Sequence, residues 1–173
     1  MSIFFYNDII SKYEKESNYY PIIEYLESIS EKTKDDTILA TLIGTSWYYF
    51  MEGDVNQAPI NYDWQKFLIK WKQYVDLSLE KYTDNEKICF VLGYTLDLHG
   101  FCIDESYCKK GKELMKRCLE ITTTNEIKIL VERFLLNPKK QKALNQSKIN
   151  DACKKLFPTD SILDSYFKKI YMK

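Results

Sequence analysis

The fold class is decided by one stretch of sequence, Thr83-Asp84-Asn85-Glu86-Lys87-Ile88-Cys89-Phe90-Val91-Leu92-Gly93-Tyr94-Thr95-Leu96-Asp97-Leu98-His99-Gly100. Its inward apolar positions recur at the spacing of one helix face: Ile88, Val91, Leu92 and Leu96. The pair Thr83-Asp84 predicts the start of the helix, because short polar side chains cap helix N-termini. The pair His99-Gly100 predicts its end. The stretch therefore predicts one amphipathic helix.

The same periodicity continues outward in both directions. The other predicted helices are 2–16, one from Pro21 through Ile29, one from Asp35 or Asp36 through Phe50, one from Asp63 through Leu79, 105–121, one from Thr124 or Asn125 to before Pro138, 139–157 and 160–171. We find no run with the two-residue alternation of a strand. The 173 residues contain only five Gly and four Pro. The chain is therefore predicted to be all-α, a single domain (1–173) of about eight or nine antiparallel helices.

Two segments echo each other, near 42–80 and near 91–120. Each has a helix with a glycine in its middle (Gly44 or Gly93), a turn ending in glycine, and a second amphipathic helix. A glycine inside a helix costs about 0.5–1 kcal/mol relative to alanine. We therefore expect these glycines where a neighbouring helix passes too close for a Cβ atom. Helix pairs of this kind stack to bury their apolar faces.

The second copy resembles a Sel1-like repeat, a relative of the tetratricopeptide repeat. The residues that carry the resemblance are Leu92-Gly93, Leu96, Gly100 and the helix that closes on Leu119-Glu120. The small residues expected in the second helices are largely replaced, and the loop at 53–61 is longer than usual. The resemblance implies helix pairs stacked as an α-solenoid, a protein-binding role, and no catalytic residues.

The charge of the chain is zero overall but uneven along the sequence. Residues 1–106 contain nine Lys and Arg against eighteen Asp and Glu, a net charge of −9. Residues 107–173 contain sixteen against seven, a net charge of +9. Such a field affects partners and association rates rather than the fold.

Catalytic, metal and cofactor sites are not predicted. The five cysteines form no C-x-x-C pair and are odd in number, so we expect free, reduced thiols and no metal. The one histidine, His99, is favourable at a helix C-terminus, and Asp97 lies two residues away on another helix face. The glycines are too scattered for a phosphate-binding loop. We expect no enzyme and no cofactor.

A candidate protein-binding site surrounds the loop at 53–61, because loops often carry function. Acidic side chains interleaved with aromatic ones suit a basic protein partner. The candidate residues are Tyr48, Tyr49, Glu52, Asp54, Asp63, Trp64, Asp97, Asp104 and Glu105. Structural roles for some of these side chains remain open as well. The acidic pairs Asp35-Asp36 and Asp104-Glu105 also suit helix starts, and the aromatic stripe from Trp47 to Trp71 suits a core.

The basic half offers an alternative. Lysines between Lys109 and Lys116 lie on one predicted helix, either as a solvated face or as a nucleic-acid contact. Arginine, which suits base and bidentate phosphate contacts, is scarce, and the acidic half would repel a phosphate backbone. Nucleic acid is therefore the less favoured partner.

The N-terminus has no basic region followed by an apolar run, and no uncharged apolar stretch is long enough to span a membrane. We expect a cytoplasmic protein without a membrane contact, monomeric in isolation.

In size, architecture and charge layout the chain also resembles bacterial immunity proteins of contact-dependent growth-inhibition and other polymorphic toxin systems. That resemblance implies a toxin inhibitor that occludes the active site of one toxin domain, often a nuclease. The alternative is a general helical-repeat adaptor or nucleic-acid-associated factor that uses the basic C-terminal half.

Overall fold

The computed structural model describes residues 2–51, 63–136 and 145–172. Within these ranges the elements are α-helices, one 3-10 helix and connecting turns, without a strand. The α-helices are α1 (Asp8–Lys15), α2 (Tyr20–Thr33), α3 (Asp36–Met51), α4 (Trp64–Lys81), α5 (Glu86–His99), α6 (Glu105–Ile121), α7 (Asn125–Leu135), α8 (Gln146–Leu156) and α9 (Ile162–Tyr171). The 3-10 helix, Gly100–Cys102, joins α5 to α6. The all-α prediction is confirmed.

Several predicted helix starts are confirmed by their hydrogen bonds. The side chain of Asp63 accepts from the backbone of Gln65 at the start of α4. Asp104 accepts from the backbone of Ser106 in the same way at α6. These bonds satisfy backbone N–H groups that have no partner inside the helix.

Three predicted boundaries were wrong. The first helix begins at Asp8 rather than residue 2, because Asn7 caps it and the preceding segment is not helical. In that segment the side chain of Ile3 is fully buried, and its backbone N–H donates a hydrogen bond to the carbonyl of Leu156. The cap of α5 is Asn85, not the pair Thr83-Asp84. The last helix begins at Ile162 rather than at residue 160, because Ser161 caps it. The Ser161 hydroxyl accepts a hydrogen bond from the backbone N–H of Asp164, the third residue of that helix.

The predicted helix 139–157 is described only from Gln146 onward, and its first residues lie outside the described ranges.

The core lies around α3 and α5, which are buried on nearly every side. Helices α2 and α4 pack on α3, and α6 packs along α5. Farther along the chain, α7 packs on α6, α8 packs on α7, and α9 returns to contact both α8 and α3. Helices that are apolar all round are found inside a bundle, where amphipathic neighbours cover them with their own apolar faces.

Glycines set the close approach of α5 and α6. A Cβ on Gly93 would lie 2.8 Å from Cγ of Met115, and one on Gly111 would lie 2.8 Å from the Cα of Asp97. The expected crowding is therefore confirmed for this helix pair. Gly44 differs, because its Cβ would meet Phe4 and Leu163, which do not belong to the following helix α4. The two echoing glycines thus make different contacts.

Candidate protein-binding surface

Three chain segments meet where α3 ends, where α4 begins and where α5 passes into the 3-10 helix. The ring of Phe50 lies 5.9 Å from the ring of Trp64. The thiol of Cys102 lies 4.0 Å from the sulfur of Met51. We refer to Met51, Asp63, Trp64, Phe101, Cys102, Asp104 and Glu105 together as the bundle end.

Large apolar side chains are exposed on the bundle end. The side chains of Phe101 and Trp64 are 59% and 48% exposed, and Met51 and Cys102, whose sulfur atoms are in contact, are half-buried. Aromatic side chains that remain in water beside other apolar groups are typical of binding surfaces, because a partner can remove them from solvent. Sequence reasoning found Trp64 but missed Phe101. The available signal was a lone aromatic directly after the helix-ending Gly100.

Acidic side chains flank these apolar groups. Asp63, Asp104 and Glu105 are exposed, the first two as helix caps and the third in the first turn of α6. The hydrogen bond from the Ser106 backbone lowers the pKa of Asp104 below its usual range. The predicted capping role of Asp104 is thus confirmed. The carboxylate of a helix cap stays at the surface with its negative charge, so the same side chain can cap the helix and contact a partner.

The two candidate tyrosines pack against other parts of the chain. Tyr49 is only 3% exposed and stacks on Tyr19 with 4.1 Å between ring centroids. Tyr48 is half-buried, and its ring contacts Tyr166 at 5.6 Å. Tyr49 therefore supports α3 from inside and presents little of its ring to a partner.

The remaining candidates fall in different places. Glu52 and Asp54 lie outside the described residues. The carboxylate of Asp97, whose side chain is 17% exposed, lies 4.0 Å from the ammonium group of Lys112 on α6. Asp97 is on α5, one turn before the 3-10 helix, and lines a cleft of its own beside the bundle end.

The one histidine joins α3 to α5. Nδ1 of His99 accepts a hydrogen bond of 3.1 Å from the indole N–H of Trp47, which is fully buried. Burial lowers the pKa of His99 below its usual range. A ring that accepts at Nδ1 is neutral, with its proton on Nε2. The arrangement serves packing, and it leaves the ring without a carboxylate partner among the contacts described.

The thiols are poorly suited to nucleophilic chemistry. Burial raises the pKa of Cys89 and of Cys153 to about 11, and it raises the pKa of Cys118 and Cys102 as well. A thiol held protonated near neutral pH is a weak nucleophile. All five cysteines are free. Within the described ranges no group of three or more His, Cys, Asp or Glu side chains is placed to hold a metal ion.

The lysines of α6 form a solvated face, which is one of the two roles predicted for them. Lys109, Lys112 and Lys116 are exposed, with Glu113 among them and Glu120 one turn after Lys116. Arg117 is paired with Asp84 and with Glu120, so part of this positive charge is neutralised within the chain.

Comparison of the chain with protein-family models, with curated proteins and with solved structures gave no match in any of the three. None of the helices in the described part of the chain is both long and apolar enough to cross a membrane. The class that the fold defines is therefore an all-α protein, and the bundle end is its candidate functional surface.

Proposed function

We propose that this chain is a protein-binding module whose bundle end docks on a basic protein. The observation that carries the proposal is the pairing of exposed Trp64 and Phe101 with the acidic groups of Asp63, Asp104 and Glu105. Binding energy concentrates in a few aromatic side chains that become desolvated, while charges at the rim select the partner and speed its approach.

A second copy of this chain suits the bundle end less well than a basic partner. In a symmetric dimer the same patch would face itself, so Asp63, Asp104 and Glu105 would approach their own counterparts. Like charges brought together across an interface oppose binding. The acidic rim therefore favours a heterologous partner.

The kind of partner we propose is the toxin domain of a polymorphic toxin system, which the chain would neutralise as an immunity protein. The support is the complementarity of an acidic, aromatic surface to a basic nuclease groove. Such a module needs no catalytic group of its own, since occlusion of the partner's active site suffices. Complementary fields would raise the association rate towards about 10⁸ M⁻¹s⁻¹ at low salt.

The partner can be found by photo-crosslinking from defined positions in cells that carry the gene with its natural neighbours. Benzoylphenylalanine replaces Phe101 or Trp64 in separate variants and, as a control, Glu120 at the far end of α6. About 24 Å separates the two ends of a 17-residue helix. We expect one polypeptide to be captured from positions 101 and 64 and not from 120. Equal capture from all three positions, or capture of this chain itself, would overturn the proposal.

The immunity role has its own test. The protein captured by the crosslinks is expressed with the wild-type chain or with a Phe101→Ser, Trp64→Ser variant, and growth is measured. We expect the wild-type chain to restore growth and the variant to lose that protection while keeping its helical spectrum. Restoration of growth by both proteins would exclude the bundle end as the inhibitory surface.

A second candidate function rests on the exposed lysines of α6, which favour the nucleic-acid alternative. Its test is fluorescence anisotropy with labelled single-stranded and double-stranded DNA at two salt concentrations. Tight binding that weakens steeply with salt and disappears in a Lys109→Glu, Lys112→Glu, Lys116→Glu variant would support it. We expect no such binding.

A further inference from the structure

A cleft of about 320 Å³ opens between α5, α7 and α9. Its walls include Tyr94 and Phe134, whose ring centroids lie 5.5 Å apart. Leu98, which is 38% exposed, lines the cleft three residues before Phe101. The cleft therefore adjoins the bundle end and would be covered by a partner that docks there.

Asp97 supplies the negative charge of the cleft. Its side chain is 17% exposed, whereas that of its ion-pair partner Lys112 is 70% exposed and 4.0 Å away. Such a loose, solvated pair holds the Asp97 carboxylate only weakly. Burial raises the pKa of Asp97 above its usual range, which means that the carboxylate has lost more hydration than Lys112 restores. A second cation inside the cleft would compensate that loss.

We infer that this cleft receives an arginine side chain of the protein partner, with its guanidinium group on Asp97 and its flat face against the half-buried ring of Phe134. The inference rests on the proposed function, which supplies a basic protein partner. Arginine fits better than lysine because its planar group pairs with a carboxylate through two hydrogen bonds and stacks on aromatic rings.

Arg133 of α7 is the second charged residue that lines the cleft. Its guanidinium group donates to Oε1 of Gln146 on α8 at 2.8 Å. This bond directs the Arg133 side chain towards α8, whereas Asp97 enters the cleft from α5. A cation at Asp97 is attracted there and repelled from the Arg133 side, which gives the site a fixed direction.

The test is a titration of the isotope-labelled full chain with N-acetyl-arginine methylamide at low salt, followed by amide NMR shifts. N-acetyl-citrulline methylamide is the matched probe, because it has the same shape without the charge. We expect saturable shifts near residues 94–98, 133–134 and 170–171, with a Kd of about 1–10 mM for this small probe. The citrulline probe should bind at least tenfold more weakly.

Three variants separate recognition from folding. Asp97→Asn should abolish the response to the arginine probe, whereas Glu120→Gln, a change at an exposed carboxylate far along α6, should leave it intact. Lys112→Ala should strengthen binding two- to fivefold, because it removes a competing cation from an exposed position. A structural role for Asp97 would not produce that gain.

The outcomes also distinguish this inference from the proposed function. If both probes bind alike, or neither shifts the cleft, the arginine site is wrong even where crosslinks from position 101 identify a partner. If the arginine probe binds but position 101 captures nothing, the proposed function fails. The inference that the cleft receives an arginine of a protein partner then fails as well.

Discussion

The indole N–H of Trp47 donates to Nδ1 of His99 across 3.1 Å, and this bond links the last turns of α3 and α5. Trp47 is fully buried, so without His99 its donor would have no acceptor in that position. A buried donor that loses its acceptor costs about 1–3 kcal/mol.

We therefore expect His99→Ala to lower the free energy of unfolding by about 1–3 kcal/mol. His99→Asn should cost less, because the amide oxygen can take the place of Nδ1. In a Trp47→Phe background the effect of His99→Ala should shrink, since the donor is gone. Urea unfolding of the four variants and the wild type measures these differences. Equal losses with and without Trp47 would contradict the hydrogen bond as the cause.

The pH dependence of stability should contain an opposing pair of contributions. Glu14 on α1 accepts from the backbone N–H of Ile162 at the start of α9, and burial raises its pKa from 4.5 to about 7. Its folded-state pKa is raised, so its stabilising contribution is complete below pH 4.5 and is lost as the pH rises through about 7. The pKa of His99 is lowered by burial, so its contribution is present above the ordinary histidine pKa and is lost as the pH falls.

Glu14→Gln should accordingly flatten the decline in stability between pH 4.5 and about 7. Glu16→Gln is the matched control, because Glu16 lies at the exposed C-terminal cap of the same helix. Thermal or urea unfolding across this pH range checks the prediction. A decline that is unchanged in Glu14→Gln would show that another group titrates.

The turn between α6 and α7 depends on Glu86, which belongs to α5. Its carboxylate accepts from the Thr122 hydroxyl at 2.6 Å, from the backbone N–H groups of Thr123 and Thr124 at 3.0 and 3.3 Å, and from the Thr124 hydroxyl. Burial alone would raise the pKa of Glu86, but these hydrogen bonds outweigh burial and lower it.

We expect Glu86→Ala to reduce the free energy of unfolding by about 1–3 kcal/mol, because several donors lose one acceptor. Glu120→Ala, which removes an exposed carboxylate paired with Arg117, should cost at most about 1 kcal/mol. Amide hydrogen exchange should also show faster exchange at residues 123–124 in Glu86→Ala. Protection that stays unchanged there would mean that the turn holds without this carboxylate.

Helix contact between α5 and α6 should be sensitive to a single methyl group. In Gly111→Ala the new Cβ would meet the backbone of Asp97, which cannot move without displacing the helix. Overpacking of this kind costs about 1–3 kcal/mol, more than the helix propensity gained. In Gly44→Ala the new atom would meet only side chains, at 3.0 Å from Phe4 and 3.1 Å from Leu163, so we expect a smaller loss. Chemical unfolding of both variants decides the order.

Thiol reactivity should divide the five cysteines into two groups. Cys102 and Cys108 are partly exposed, whereas Cys89, Cys118 and Cys153 are buried. We expect iodoacetamide to modify the first two in the native protein and the other three only after unfolding, with no disulfide in the freshly purified reduced protein. Peptide mass spectrometry after timed alkylation measures this. Early modification of Cys118 would indicate that α6 opens locally.

The candidate site was only partly predictable. Trp64, Asp63 and Asp104 could be placed because a cap and its first helical residue are local features. Phe101 was missed, because its position directly after Gly100 marks a turn but does not show whether the ring points to solvent or inward. Tyr49 was chosen as a binding residue because acidic and aromatic residues lie near it in the sequence. Its position on the helix, however, faces the core.

By itself the sequence determined the all-α class, most helix positions, the free thiols and the opposite net charges of residues 1–106 and 107–173, because periodicity, caps and composition are properties of short segments. Only the tertiary structure decided that Trp47 meets His99, that Glu86 holds the α6–α7 turn, and that Asp97 and Phe134 share a cleft. These partners lie between 36 and 52 residues apart along the chain. Their meeting depends on how whole helices pack, which no local pattern encodes.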